Sequence, residues 1–192
     1  MYNPTGTLIS ALRGKSADGN VGSYGIEVVA NGTFAVLSPS WSNGNSAAAG
    51  AVTWVDGNLG LSGVVSASNS LVGTQTNDGV GSGGVTLLYN GNYVVSSYSW
   101  NNSTVPSAGA VTWVNGEKGL TGPVTAENSL LGTDANEVVG SQYWILPVAP
   151  LPNGNYVVAN SSGHRDPQKG GSVLRICLLI LNEASSRVLT RS

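Results

Sequence analysis

The residues that could do chemistry in this chain are few and fall in recognisable places. His164 stands two positions before Asp166, an arrangement in which a carboxylate orients an imidazole to act as a general base. Its plainer role is that of a solvated loop residue. Acidic and amide residues recur ahead of a Val-Gly-Ser tripeptide: Asp18 and Asn20 before Val21, Asn77 and Asp78 before Val80, and Asp134, Asn136 and Glu137 before Val139. A ring of oxygen ligands built from Asp18, Asp78, Asp134 and Glu137 suits Ca2+, a hard cation that takes six to eight oxygens. The alternative is structural, because Asx side chains ahead of a glycine turn cap backbone donors. Trp41, Tyr98 and Trp100 lie in polar stretches and supply rings that stack on a sugar face or another apolar ligand. A packed loop anchor is the other role open to them.

Other active-site patterns are missing from the sequence. There is no Gly-x-Ser-x-Gly elbow, no His-Glu-x-x-His and no phosphate loop. The run His164-Arg165-Asp166 matches the kinase catalytic loop by chance, since no other kinase motif accompanies it.

The scaffold that must position these residues is β-structure. Glycine, serine, asparagine, threonine and valine dominate and only 9% of residues are charged, a composition that favours short strands and polar turns over helices. A net charge of −2 with eight Lys and Arg provides no basic stripe for a phosphate backbone, so nucleic acid is not an expected partner. Cys177 is the only cysteine, which excludes an intrachain disulfide. The run Met1 to Gly6 lacks the basic and apolar segments of a signal peptide, so any export signal is expected outside this chain. The longest apolar run, Ile176 to Leu181, is too short to span a bilayer, and a soluble protein is expected.

The chain repeats itself. Ala49-Gly50-Ala51-Val52-Thr53-Trp54 returns 59 residues later as Ala108-Gly109-Ala110-Val111-Thr112-Trp113. Val-Gly-Ser recurs at the same spacing from Val21, Val80 and Val139. The pair Asn31-Gly32 returns as Asn90-Gly91 and then, after 63 residues, as Asn153-Gly154, which puts a four-residue insertion near 146–152 of the third copy. Each copy reads as an antiparallel meander. In the second, strand A runs from Gly84 to Tyr89, a type I′ Asn-Gly turn leads into strand B (Tyr93 to Ser97), strand C runs from Gly109 to Val114, and strand D lies near Val124 to Leu131. In chain order the pattern is D-A-B-C three times, with units over about 6–57, 66–116 and 125–182.

The A to C segment resembles the FG-GAP repeats of integrin-α-type β-propellers through Val80-Gly81-Ser82, Val85-Thr86-Leu87, Tyr93 to Ser97 and Gly109 to Val114. The resemblance implies an all-β propeller of four-stranded blades from a secreted or cell-surface family. Family members that bind calcium carry an Asp-x-Asp-x-Asp-Gly loop between strands A and B, where this chain has Asn-Gly. Three blades are fewer than a propeller uses, so two chains are expected to complete a six-bladed ring as a homodimer, with the permuted strand order serving closure. A β-trefoil is the alternative fold, and a β-solenoid the third.

In the third copy Gly170-Gly171-Ser172-Val173 aligns with the opening of strand C. From Leu174 the pattern lapses into an irregular tail over 174–192, read as a diverged cap or as unrelated sequence fused to a fragment. In an antiparallel meander the D–A and B–C connections emerge at one end, and that end collects the candidate residues. The first functional expectation is a non-catalytic binding or adhesion module for a glycan, protein or small-molecule ligand. The second is a Ca2+-dependent propeller hydrolase, a lactonase or esterase, with the metal polarising a carbonyl.

Overall fold

The computed structural model describes residues 5–8, 10–15, 19–30, 32–141, 148–160 and 175–179. Their regular structure is entirely strand. Among the described residues, then, no helix is long and apolar enough to cross a membrane.

The strands in chain order are β1 (Leu12–Arg13), β2 (Gly25–Val28), β3 (Thr33–Ser38), β4 (Ala51–Asp56), β5 (Gly63–Val64), β6 (Leu71–Val72) and β7 (Val85–Leu87), followed by β8 (Tyr93–Ser97), β9 (Ala110–Val114), β10 (Gly122–Pro123), β11 (Ser129–Leu131), β12 (Val148–Pro150), β13 (Tyr156–Asn160) and β14 (Arg175–Leu179). Two complete meanders form, β2-β3-β4-β6 and β7-β8-β9-β11, and a third sheet holds β12-β13-β14. These are units 1, 2 and 3. None of the described sheets closes on itself as a barrel, which a trefoil would require. The stretch from residue 6 enters no meander; it supplies β1, which pairs in parallel with β5.

Strand alternation explains why these segments are strands. In β8, Tyr93 and Val95 face one side while Val94 faces the other, and all three are buried, as a sheet covered on both faces requires. Between the faces runs a polar ladder. The hydroxyls of Thr53 and Ser70 meet at 2.7 Å, as do those of Thr112 and Ser129, so buried hydroxyls on neighbouring strands satisfy each other. Asn69 and Asn128 hold the turn before strand D, each accepting at Oδ1 from backbone three residues earlier (Ser66 N, 2.9 Å; Thr125 N, 2.9 Å) and from the following serine hydroxyl.

The Asn-Gly hairpins differ from the expected type I′ turns. Leu88 N donates to Asn92 O at 2.9 Å and Gly91 N to Leu88 O at 3.2 Å, closing a three-residue loop with only the glycine left-handed (φ 82°). Leu151, Gly154 and Asn155 repeat it, with φ 84° at Gly154. This is a type I turn followed by a glycine bulge. The asparagine keeps negative φ because its side chain is already engaged: Asn90 Oδ1 accepts from Asn92 N at 3.2 Å and Asn153 Oδ1 from Asn155 N at 3.1 Å.

The segment expected as one long strand D is broken. Only β11 lies within it; just ahead of it β10 joins β6 of the preceding unit in parallel, as β5 joins β1. β6 is thus flanked by strand C of its own unit, β4, and by a short strand of the next, β10. In unit 3, strand C is β14, with Asn160 opposite Arg175 and Tyr156 opposite Leu179; this places Ile176, three residues beyond Val173, at the register position of Val111.

Units stack face to face. The trailing face of unit 1 (Val29, Ala35, Val52, Trp54) packs on the leading face of unit 2 (Val80, Val85, Tyr93, Val95) in one apolar cluster. The trailing face of unit 2 (Leu88, Val94, Val111, Trp113) meets Val139, Val148, Tyr156 and Val158 of unit 3 in the same way. Trp54 Nε1 donates to Gly116 O at 2.9 Å across the first junction, and its ring lies over Gly119, where an added Cβ would come within 2.6 Å of Trp54 Cβ.

Candidate functional site

At one end of the stack the D–A and B–C connections meet, as the meander demands. Backbone bonds lock the two loops together: Asn77 N, Gly79 N and Val80 N donate to the carbonyls of Ala47, Ala48 and Ala49 at 2.9 to 3.0 Å. The pattern recurs one unit on, from Asn136, Val138 and Val139 to Pro106, Ser107 and Ala108. The approach of Gly50 to Val80 needs a glycine, since a Cβ there would lie 2.1 Å from Val80 N.

Asp78 is fully buried in this loop pair. Its Oδ2 accepts from Thr74 N at 2.9 Å and Gln75 N at 2.8 Å, and its Oδ1 accepts from Asn101 N at 3.2 Å and Asn101 Nδ2 at 3.0 Å. Glu137 holds the same position 59 residues later and caps Thr133 N at 2.6 Å and Asp134 N at 3.1 Å. Asp134 is exposed. Asp78 and Glu137 cap loop backbone, and among the described residues no group of three or more His, Cys, Asp or Glu could hold a metal ion. The described members of the expected Ca2+ ring, Asp78, Asp134 and Glu137, form no such group. Asp18 is also one place out of register, because the counterpart of Asp78 and Glu137 in the first copy is Gly19. Asp18, His164 and Asp166 lie outside the described residues.

The aromatic candidates separate. Trp41 and Trp100 are 4% and 7% exposed and pack into the core clusters under their loops. Their faces are spent on packing, which makes them loop anchors and leaves no surface for a ligand from solution. Tyr98 is half-buried and remains at the surface. Tyr98 lines a shallow depression of about 300 Å3 between units 1 and 2, together with Tyr24, Pro39, Ser40, Asn77 and Ser82. Among the described residues that line it none is charged. Ser82 Oγ is buried beneath it with no hydrogen-bond partner among the described residues, and Tyr24 is 60% exposed. Tyr24 escaped the sequence reading because its counterpart in the second copy is Gly83, so the repeat gave it no second appearance.

The Asx and Thr/Ser network was also hidden among common polar residues. Its signal was the recurrence of Asn-Ser at Asn69-Ser70 and Asn128-Ser129, each 17 residues after a Thr in strand C.

A family model described as a repeat of unknown function (DUF5650) matches residues 28–82 and again 87–141. The two matches are 59 residues apart, the period of the sequence repeat, and cover more than half the chain. No curated protein matches it.

Proposed function

We propose a non-catalytic binding role on one premise: the chain belongs to the DUF5650 repeat family, and its repeats serve as a scaffold for the loops at one end. The units are propeller-type blades in this reading, akin to FG-GAP repeats; four-stranded meanders stacked through both faces support it. The ligand enters the depression between units 1 and 2 and is neutral and rich in hydroxyls, such as a glycan. The observation that carries this is the described lining: two tyrosines and small polar side chains, with no charged one among them. Tyrosine offers a ring to the apolar face of a sugar and a hydroxyl to its rim. Two of the carboxylates that a metal-dependent lactonase would draw on, Asp78 and Glu137, cap backbone donors.

Screening of the intact chain on a glycan array, followed by NMR titration of the hits, tests the reading. Shifts are expected at Tyr24, Ser82 and Tyr98, and Tyr98→Ala should reduce affinity about tenfold or more, as loss of a stacking ring does. Binding that survives Tyr24→Ala and Tyr98→Ala together would refute the site.

A further inference from the structure

The leading face of unit 1 is built like that of unit 2, yet among the described residues no other unit stacks on it. Ile26 is 63% exposed where its counterpart Val85 is packed, and Phe34 and Val36 line an apolar depression of about 610 Å3 with Val21 and Leu12. In units 2 and 3 the matching face is covered by the trailing face of the preceding unit. The N-terminal strand already occupies part of that missing unit: β1 corresponds to β6 and β11, pairs with β5 as β6 pairs with β10, and rests Leu12 against Trp41, Ala51 and Val72. It is a strand D without its strand C.

Unit 3 has the opposite deficiency. Strand C, β14, bonds to β13, and among the described residues no strand D lies on its other edge. The register of units 1 and 2 fixes how β1 and β14 would pair. Leu71 opposite Val52 becomes Leu12 opposite Ile176, and Ser129 opposite Thr112 becomes Ala11 opposite Cys177. Between strands C and D of units 1 and 2 this last pair consists of hydroxyls bonded at 2.7 Å. At positions 11 and 177 both hydroxyls are absent together, so neither partner would bury an unpaired one.

We propose that the open leading face of unit 1 and the free edge of β1 receive unit 3 of a second copy of this chain. The contact is reciprocal about a two-fold axis, so each β1 completes the unit 3 of its partner. Leu151 and Val157 stand at the register positions of Leu88 and Val94, so the incoming trailing face is apolar like those buried inside the chain. One pair opposes association: Arg13 falls opposite Arg175, and like charges facing across strands are unfavourable. The association is therefore sought at moderate salt.

The test is sedimentation of the full chain together with a cross-link. Wild-type chain should sediment with the mass of two chains, and Ala11→Cys should form interchain disulfides with the native Cys177, since directly opposed strand positions lie within disulfide reach. Ile26→Asp should weaken association by about a hundredfold, because docking would bury an unpaired carboxylate. Its circular dichroism spectrum should be unchanged, as Ile26 is exposed in the single chain. A stable monomer would overturn the proposal and leave the face to another repeat ahead of it in a longer protein. A dimer indifferent to Ile26→Asp and not cross-linked by Ala11→Cys would place the contact elsewhere, and a ladder of larger species would overturn the closed pair.

Discussion

The leading faces of units 1 and 2 have nearly the same sequence pattern and opposite circumstances. Phe34, Val36 and Ile26 occupy the register positions of Tyr93, Val95 and Val85, but Phe34 is half-buried where Tyr93 is sealed, and Ile26 is 63% exposed where Val85 is half-buried. The strand is made by its own alternation; its burial is made by the neighbour that stacks on it. In such an array stability resides at the junctions between units as much as within them.

The widest separation between the faces should come from truncating the matching aromatics. Tyr93→Ala opens a void in a sealed junction and is expected to cost about 3–5 kcal/mol, while Phe34→Ala, on the open face, should cost less than half as much. Urea unfolding of the two variants at a concentration where the chain is monomeric measures the gap. Equal costs would mean that the covered face gains nothing from its neighbour.

Alkali probes the same contrast. Burial pushes the phenols of Tyr93 and Tyr156 well above the ordinary tyrosine value, because the leading faces of units 2 and 3 exclude the water a phenolate needs. The unfolded chain releases these protons near pH 10 while the folded chain still holds them. Stability from this source is thus complete below about pH 10 and drains away as pH rises above it. Unfolding followed from pH 8 to 12 should show this decline, and Tyr93→Phe should reduce its slope. A slope unchanged in Tyr93→Phe would place the titration elsewhere.

Much of this was legible in the sequence, for a physical reason. A 59-residue period reports on stacking, because a unit that must fit the same neighbour repeats the same contact residues. Strand B of the second copy was readable to the residue from Tyr93 to Ser97, since a doubly covered strand admits little but apolar and small residues. The short strand β10 was not, because Gly122 and Pro123 read as a loop and become a strand only by pairing with another unit. The candidate site divided along the same line. Loops sorted correctly to one end by strand parity, but Asp78 looked like a ligand and is a cap, and Trp41 and Trp100 looked presented and are buried. Composition marks a side chain's capacity; only the fold decides whether backbone or solvent claims it.

The caps offer a smaller test. Asp78→Ala frees two backbone donors and both bonds to Asn101, and by analogy with helix caps should cost about 1–2 kcal/mol. Asp78→Asn keeps an acceptor oxygen and should cost less. Added Ca2+ should leave the melting temperature of both variants and of the parent chain unmoved; a rise confined to the parent would restore the carboxylate to a metal-binding role.

The finest contrast lies between two tryptophans at equivalent positions. Trp54 donates its indole N–H to Gly116 O, which also accepts from Thr33 Oγ1 at 3.2 Å, whereas Trp113 Nε1 is buried with no partner among the described residues. Phenylalanine removes a formed bond at position 54 and an unpaid desolvation at position 113. Both substitutions lose similar packing, so the difference between them isolates the polar contribution. Trp54→Phe should therefore be the more destabilising by about 1–2 kcal/mol in parallel urea titrations. Equal losses would show that the junction between units 2 and 3 satisfies Trp113 in solution, and that the two junctions are closer to equivalent than their geometry indicates.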